Sequence, residues 1–121
     1  MKQIYSRSFT VTFSTGDSGY VYAEKISPGM VLRVETCFAY APERVASDNI
    51  ILGIKDGAEN IIIRASAPLA AQKGIANDNS FWLGEGDQLF AYFPDADDTD
   101  QLGIHVIGVL NTLEEWRKIM E

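Results

Sequence analysis

Apolar and polar positions alternate along most of this chain. From Gln3 to Ser14, Tyr5, Phe9, Val11 and Phe13 fall on one face, with Arg7 the exception. Ser6, Ser8, Thr10, Thr12 and Ser14 fall on the other. Period two in Thr, Val and aromatic residues predicts a half-buried strand. Thr15 to Gly19 ends it as a turn, and Tyr20 to Glu24 follows as a short strand. Ser27-Pro28-Gly29 predicts a type II turn, with Pro fixing φ and Gly free to take a positive one. Met30 to Tyr40 is the longest strand candidate. Met30, Leu32, Val34, Thr36, Phe38 and Tyr40 share one face, and Arg33 and Glu35 lie on the other beside Val31, Cys37 and Ala39. A polar loop from Pro42 to Asn49 leads to Ile50–Lys55 and Asn60–Ala65, which read as a hairpin around Asp56-Gly57. Ile61, Ile62 and Ile63 are apolar on both faces, which predicts a central or an interface strand.

The stretch Ser80 to Phe93, SFWLGEGDQLFAYF, organises the second half. Apolar residues run to Leu83, turn residues follow, and apolar residues resume at Leu89. Gly84 and Gly86 suit the positive φ of a tight turn, and the short carboxylate of Asp87 suits backbone N–H groups inside it. The reversal is expected to place Phe81, Leu83, Leu89, Ala91 and Phe93 on one buried face. The preceding stretch, Ser66 to Ser80, reads either as one helical turn from Pro68 to Gly74 or as an irregular loop, with Asn77 to Asn79 as turn residues. Pro94 to Asp100 is an acidic loop. Leu102 to Leu110 is the last strand, with Ile104, Val106 and Leu110 opposite His105, Ile107 and Val109.

Thr112 and Glu115 have capping-box spacing and open a short helix over about 113–120. Glu114 and Glu115 suit its positive end, Arg117 and Lys118 its last turn. Leu113, Trp116 and Met120 form its apolar stripe. About eight short strands with turns between them and no βαβ alternation predict an all-β fold. The expected architecture is an antiparallel two-sheet β-sandwich of jelly-roll or Greek-key type, one domain over residues 1–121, with a short C-terminal helix.

Composition narrows the partners. The chain has 121 residues, 46% apolar and 22% charged, with a net charge of −7. That charge argues against nucleic acid and against an anionic membrane surface. No apolar run approaches the roughly 18–20 residues of a membrane span. Cys37 is the only cysteine, so no internal disulfide forms and packing must hold the fold. The N-terminal MKQIYSRSF lacks the apolar core of a signal peptide, so synthesis in the cytoplasm without export by a signal peptide is the expectation.

Candidate chemistry is sparse. Asp95, Asp97, Asp98 and Asp100 supply oxygens of the kind calcium takes, but Thr99 stands where a third ligand is needed and no Gly follows. A solvated loop, with no metal held tightly, is the expectation. His105 is the only histidine, so no catalytic triad with a spare base can be assembled. Cys37 is expected to be a small buried residue. Paired carboxylates for glycosidase chemistry lack an accompanying pocket motif. Tyr5, Tyr20, Tyr22, Tyr40, Tyr92, Trp82 and Trp116 are either core and interface residues or rings on which sugars stack.

WLGEGDQLFAYF followed by DQLGIHVIGVL resembles the C-terminal part of small tailed-bacteriophage virion proteins. In those, a strand ending in a Leu-Gly-x-Gly-Asp turn leads to a strand with one apolar face, a short loop and a final strand. The resemblance covers about residues 50–110 and departs at the C-terminal helix. It implies a jelly-roll or β-sandwich structural component of a phage head or tail, with no catalytic residue and no cofactor. The expected function is therefore a non-enzymatic virion or decoration protein, made in the host cytoplasm. It would act as a homo-oligomer and with other virion proteins. Ile61, Ile63, Trp82, Trp116 and Met120 are the interface candidates, since a sandwich of this length has few interior positions for residues apolar on both faces. A carbohydrate-binding β-sandwich module is the alternative.

Overall fold

A computed structural model describes residues 3–14, 16, 18–41, 49–68, 74–77, 80–94, 96 and 99–120. Among them the strands run β1 Gln3–Thr12, β2 Tyr20–Tyr22, β3 Met30–Tyr40, β4 Asn49–Lys55, β5 Ile61–Pro68, β6 Gly74–Asn77, β7 Phe81–Leu83, β8 Gln88–Tyr92 and β9 Gln101–Thr112. The helix α1 spans Leu113–Met120. The first sheet has the order β1-β9-β3-β6, with β7 also paired to β3; the second has the order β2-β8-β4-β5. Every pairing is antiparallel. Because β6 and β7 pair successive stretches of β3, they occupy one strand position. The chain thus steps between two four-position sheets in the jelly-roll manner.

The two sheets close on one core. Tyr5, Leu32, Val34, Cys37, Ala39, Leu102, Ile104 and Val106 of the first sheet meet Val21, Ile50, Leu52, Ile54, Leu89 and Ala91 of the second. The alternation read from β1 holds in part. Tyr5 is buried and Phe9 and Phe13 pack on the core rim, whereas Val11 stays exposed. Arg7 shares the inward face, and β1 tolerates it because β1 is an edge strand where a charge can leave the core sideways.

The face expected for β3 is corrected. Leu32 and Val34 do point inward, but the register with β9 shifts between Val34 and Thr36. The bulge inserts one residue, and every later side chain changes face. Cys37, Ala39 and Ala41 are 0% exposed, while Thr36, Phe38 and Tyr40 are only half-buried. The bulge sits against Gly108, where any Cβ would overlap the Arg33 carbonyl oxygen.

Ser80 to Phe93 also differs from a hairpin. β7 pairs β3 in the first sheet and β8 pairs β2 and β4 in the second, so the Gly84–Asp87 turn carries the chain across the sandwich. Phe81, Leu83, Leu89, Ala91 and Phe93 still meet in the core, from opposing walls. Gly86 takes φ 82°. The Asp87 carboxylate accepts from Gly84 N at 2.9 Å, and Asp87 N donates to the Gly84 carbonyl at 3.0 Å.

Three further expectations change. Ile61–Ile63 lies in β5, which is an edge strand and not a central one. The β4–β5 hairpin turns over residues 56–60, and Glu59, not Gly57, takes the left-handed φ of 68°. Asp56 Oδ1 accepts from both Ala58 N and Asn60 N at 2.9 Å, which organises that turn. Within Ser66–Ser80, residues 69–73 and 78–79 lie outside the described residues, and Gly74–Asn77 is a strand rather than helix or loop. At the C-terminus the capping box is present in both directions. Glu115 N donates to Thr112 Oγ1 at 3.1 Å, and Thr112 N donates to Glu115 Oε1 at 3.0 Å.

Candidate functional site

Two outward sheet faces collect the side chains that the core does not use. On the first sheet, strand register lines up Ile4, Val109, Arg33 and Trp82 across four neighbouring strands. Trp116 of α1 meets Trp82 edge-on, with ring centroids 6.1 Å apart at 70°. The Arg33 guanidinium lies 5.9 Å from the Trp82 ring centre, a cation–π distance. Ile4 is 90% exposed, and Trp82 and Ile107 are each 37% exposed. Trp116 Nε1 is buried without a hydrogen-bond partner among the described residues.

Farther along the same face, His105 stacks on Phe38 with centroids 5.2 Å apart. Ser6 Oγ lies 3.3 Å from His105 Nε2, and Ser8 Oγ is hydrogen-bonded to Nδ1. Among the described residues the hydrogen-bond partners of His105 are these two serines. Tyr40 lies over Gly103 of β9, where a Cβ would overlap the ring.

On the second sheet, Tyr20 and Tyr22 of β2 pair with Tyr92 and Phe90 of β8. Tyr20 stacks on Tyr22 with centroids 5.7 Å apart at 9°, and on Tyr92 at 4.5 Å and 29°. Phe90 is buried on this outer face because its partner on β4 is Gly53, whose absent Cβ would sit 2.9 Å from two ring carbons. Lys55 Nζ is 5.5 Å from the Tyr22 ring centre and 2.6 Å from Glu59 Oε2. The bond to Glu59 raises the Lys55 pKa, and Lys55 holds the Glu59 carboxyl below its usual range. Tyr20, Tyr22, Lys55, Ile61 and Phe90 line a groove of about 190 Å³.

The sandwich is closed at one side by Tyr5, Arg7 and Glu24. Tyr5 OH donates to Glu24 Oε1 at 2.8 Å, and Arg7 Nη1 lies 2.6 Å from the same oxygen. Burial, then the bond to Glu24, pushes the Tyr5 phenol well above its ordinary pKa.

The structure therefore separates the interface candidates. Trp82 and Trp116 meet on the first sheet, and Ile61 stands on the edge of the second at 57% exposure. The side chains of Ile63 and Met120 lie outside the described residues, as do Asp95, Asp97 and Asp98. Asp100 is described, and its carbonyl accepts from Phe13 N. No group of three metal-ligating side chains occurs among the described residues. Cys37 is buried in the core, as expected. Sequence reasoning did not single out Ile4, Arg33, Lys55 or Phe90. The signal for Phe90 was its phase in the FAYF run, opposite to that of Leu89 and Ala91.

No protein-family model matches the chain, and no curated protein matches it at a significant level. Solved structures are similar to it at low identity. The Drosophila NLP-core is 15% identical with a TM-score of 0.46, over 87% of this chain and 96% of that one. The Clostridium thermocellum xylanase 10B fragment with CBM22-1 and GH10 modules is 13% identical with a TM-score of 0.46, over 91% of this chain. This chain spans only 25% of that protein. A protein of the infectious bursal disease virus Gt strain is 10% identical with a TM-score of 0.31, over 90% of this chain and 31% of that one. At these values the likenesses carry no argument about function.

Proposed function

We propose that this chain is a non-enzymatic structural unit that works by assembling with copies of itself, as a head or tail component of a phage particle. The observation that carries the assembly reading is the outer face of the first sheet. Ile4, Val109, Arg33 and Trp82 form one row across its strands, apolar but for Arg33, with Ile107 beside it, and Ile4 is 90% exposed. Apolar surface of this kind contributes roughly 25 cal/mol per Å² when removed from water. An interface of ordinary size, about 800 Å² per partner, is then sufficient to hold such an assembly before association costs are counted. The phage setting is supported by the Leu83–Asp87 turn and the strands around it.

Light scattering after size exclusion at micromolar concentration tests the assembly. The expected mass exceeds the 13.4 kDa of one chain. Ile4→Glu combined with Ile107→Glu should return the mass to that of a monomer with an unchanged circular-dichroism spectrum. A wild-type monomer would overturn self-assembly. The phage setting is tested by mass spectrometry of purified particles, which should contain the chain in stoichiometric amount.

A further inference from the structure

We propose that the groove on the outer face of the second sheet binds a neutral saccharide, with Tyr22 as the stacking ring. This rests on different residues from the assembly reading and stands without it.

The groove is built from rings held in place by one another. Tyr20 is fixed between Tyr22 and Tyr92, and Phe90 is locked over Gly53 beneath them. Tyr22 remains 43% exposed at the open end of this stack. A ring already held in its binding position loses little freedom when a ligand arrives. Sugars present an apolar C–H face and a rim of hydroxyls, and a tyrosine presents an apolar face and a polar tip. The hydroxyls of Tyr20 and Tyr22, which line the groove, make no hydrogen bond to the described residues, so they are available to that rim.

Charge selects among sugars. Among the described residues Lys55 is the one cation lining the groove; it is held 2.6 Å from Glu59, and the chain carries −7. An anionic saccharide would find this lining cation already paired and would be repelled by the net charge from a distance. A neutral one can accept from Lys55 and donate to Glu59 without losing their attraction. At about 190 Å³ the groove is smaller than the roughly 300–1,000 Å³ of pockets that enclose cofactors. It suits one sugar ring, with the rest of an oligosaccharide running over the open sheet. A second protein copy docked here would instead bury the Lys55–Glu59 pair and two phenols without partners, which is costly.

An array of neutral and anionic oligosaccharides, followed by calorimetry with the best neutral one, tests the proposal. Tyr22→Ala and Ile61→Glu should each weaken binding by at least about tenfold. Tyr22→Phe should retain it within about threefold, and Trp82→Ala on the other sheet should leave it unchanged. Absence of any neutral-sugar binding at millimolar concentration would overturn the proposal. So would a preference for anionic sugars, or binding that survives both Tyr22→Ala and Ile61→Glu.

Discussion

Arg7 and Glu24 form an ion pair, Nη1 to Oε1 at 2.6 Å, that ties an edge of the first sheet to the segment following β2 of the second. Tyr5 donates to the same carboxylate oxygen. Arg7 occupies an inward phase of β1, and this pair is how the strand carries a charge there. The side chains are 56% and 44% exposed, so water screens the attraction. Arg7→Ala should therefore cost less than about 1 kcal/mol of stability, measured by urea unfolding.

Tyr5 makes stability fall at alkaline pH. Its phenol is held protonated in the folded chain by burial and by Glu24, so its folded pKa lies above the unfolded value. The resulting stability is complete below about pH 10, the pKa of a free phenol, and is lost as pH rises from there toward the folded pKa. Phenolate absorbance should show one tyrosine ionising only with unfolding. Tyr5→Phe should flatten the alkaline limb of the stability curve.

Gly103 and Tyr40 should behave as a coupled pair. They face each other across β9 and β3, and the atoms that a Cβ at 103 would meet all belong to the Tyr40 ring. Gly103→Ala alone should destabilise by about 1–3 kcal/mol. In a Tyr40→Ala background the same change should cost little, giving a clear non-additive cycle. Gly108→Ala has no such rescue, because its obstacle is the Arg33 backbone at the bulge. It should cost about 3 kcal/mol or more, or prevent folding.

The two glycines of the crossing turn should separate. Gly86 has φ 82°, whereas Gly84 has no positive φ and an open Cβ position. Gly86→Val should lower stability by more than about 1 kcal/mol. Gly84→Ala should be nearly neutral, and equal losses at both positions would contradict the geometry.

Thr112→Ala removes the acceptor of Glu115 N at the start of α1. A loss of about 1 kcal/mol in thermal unfolding is expected. Loss of the Trp82–Trp116 contact should accompany it, seen as a change in tryptophan emission.

The sequence by itself determined the class of fold, the described strands other than β6, the turn at Gly86 and Asp87, and the helix start at Thr112. Each rests on residues close in the chain: period-two alternation, a glycine free to take positive φ, and a side chain three positions from its partner N–H. Tertiary structure decided the rest. The bulge after Val34 reversed the face of Thr36, Phe38 and Tyr40, because its cause is the approach of Gly108 from a strand far along the chain. The turn at residues 84–87 joined two sheets instead of two neighbours, because β7 pairs β3 in the first sheet while β8 pairs β2 and β4 in the second. The candidate groove was legible only as separate aromatic residues. Its assembly depends on register: Tyr20 opposite Tyr92, Tyr22 opposite Phe90, and Phe90 opposite a glycine that leaves room for its ring. Pairing across strands sets those contacts, and no local pattern in the chain encodes which strands will meet.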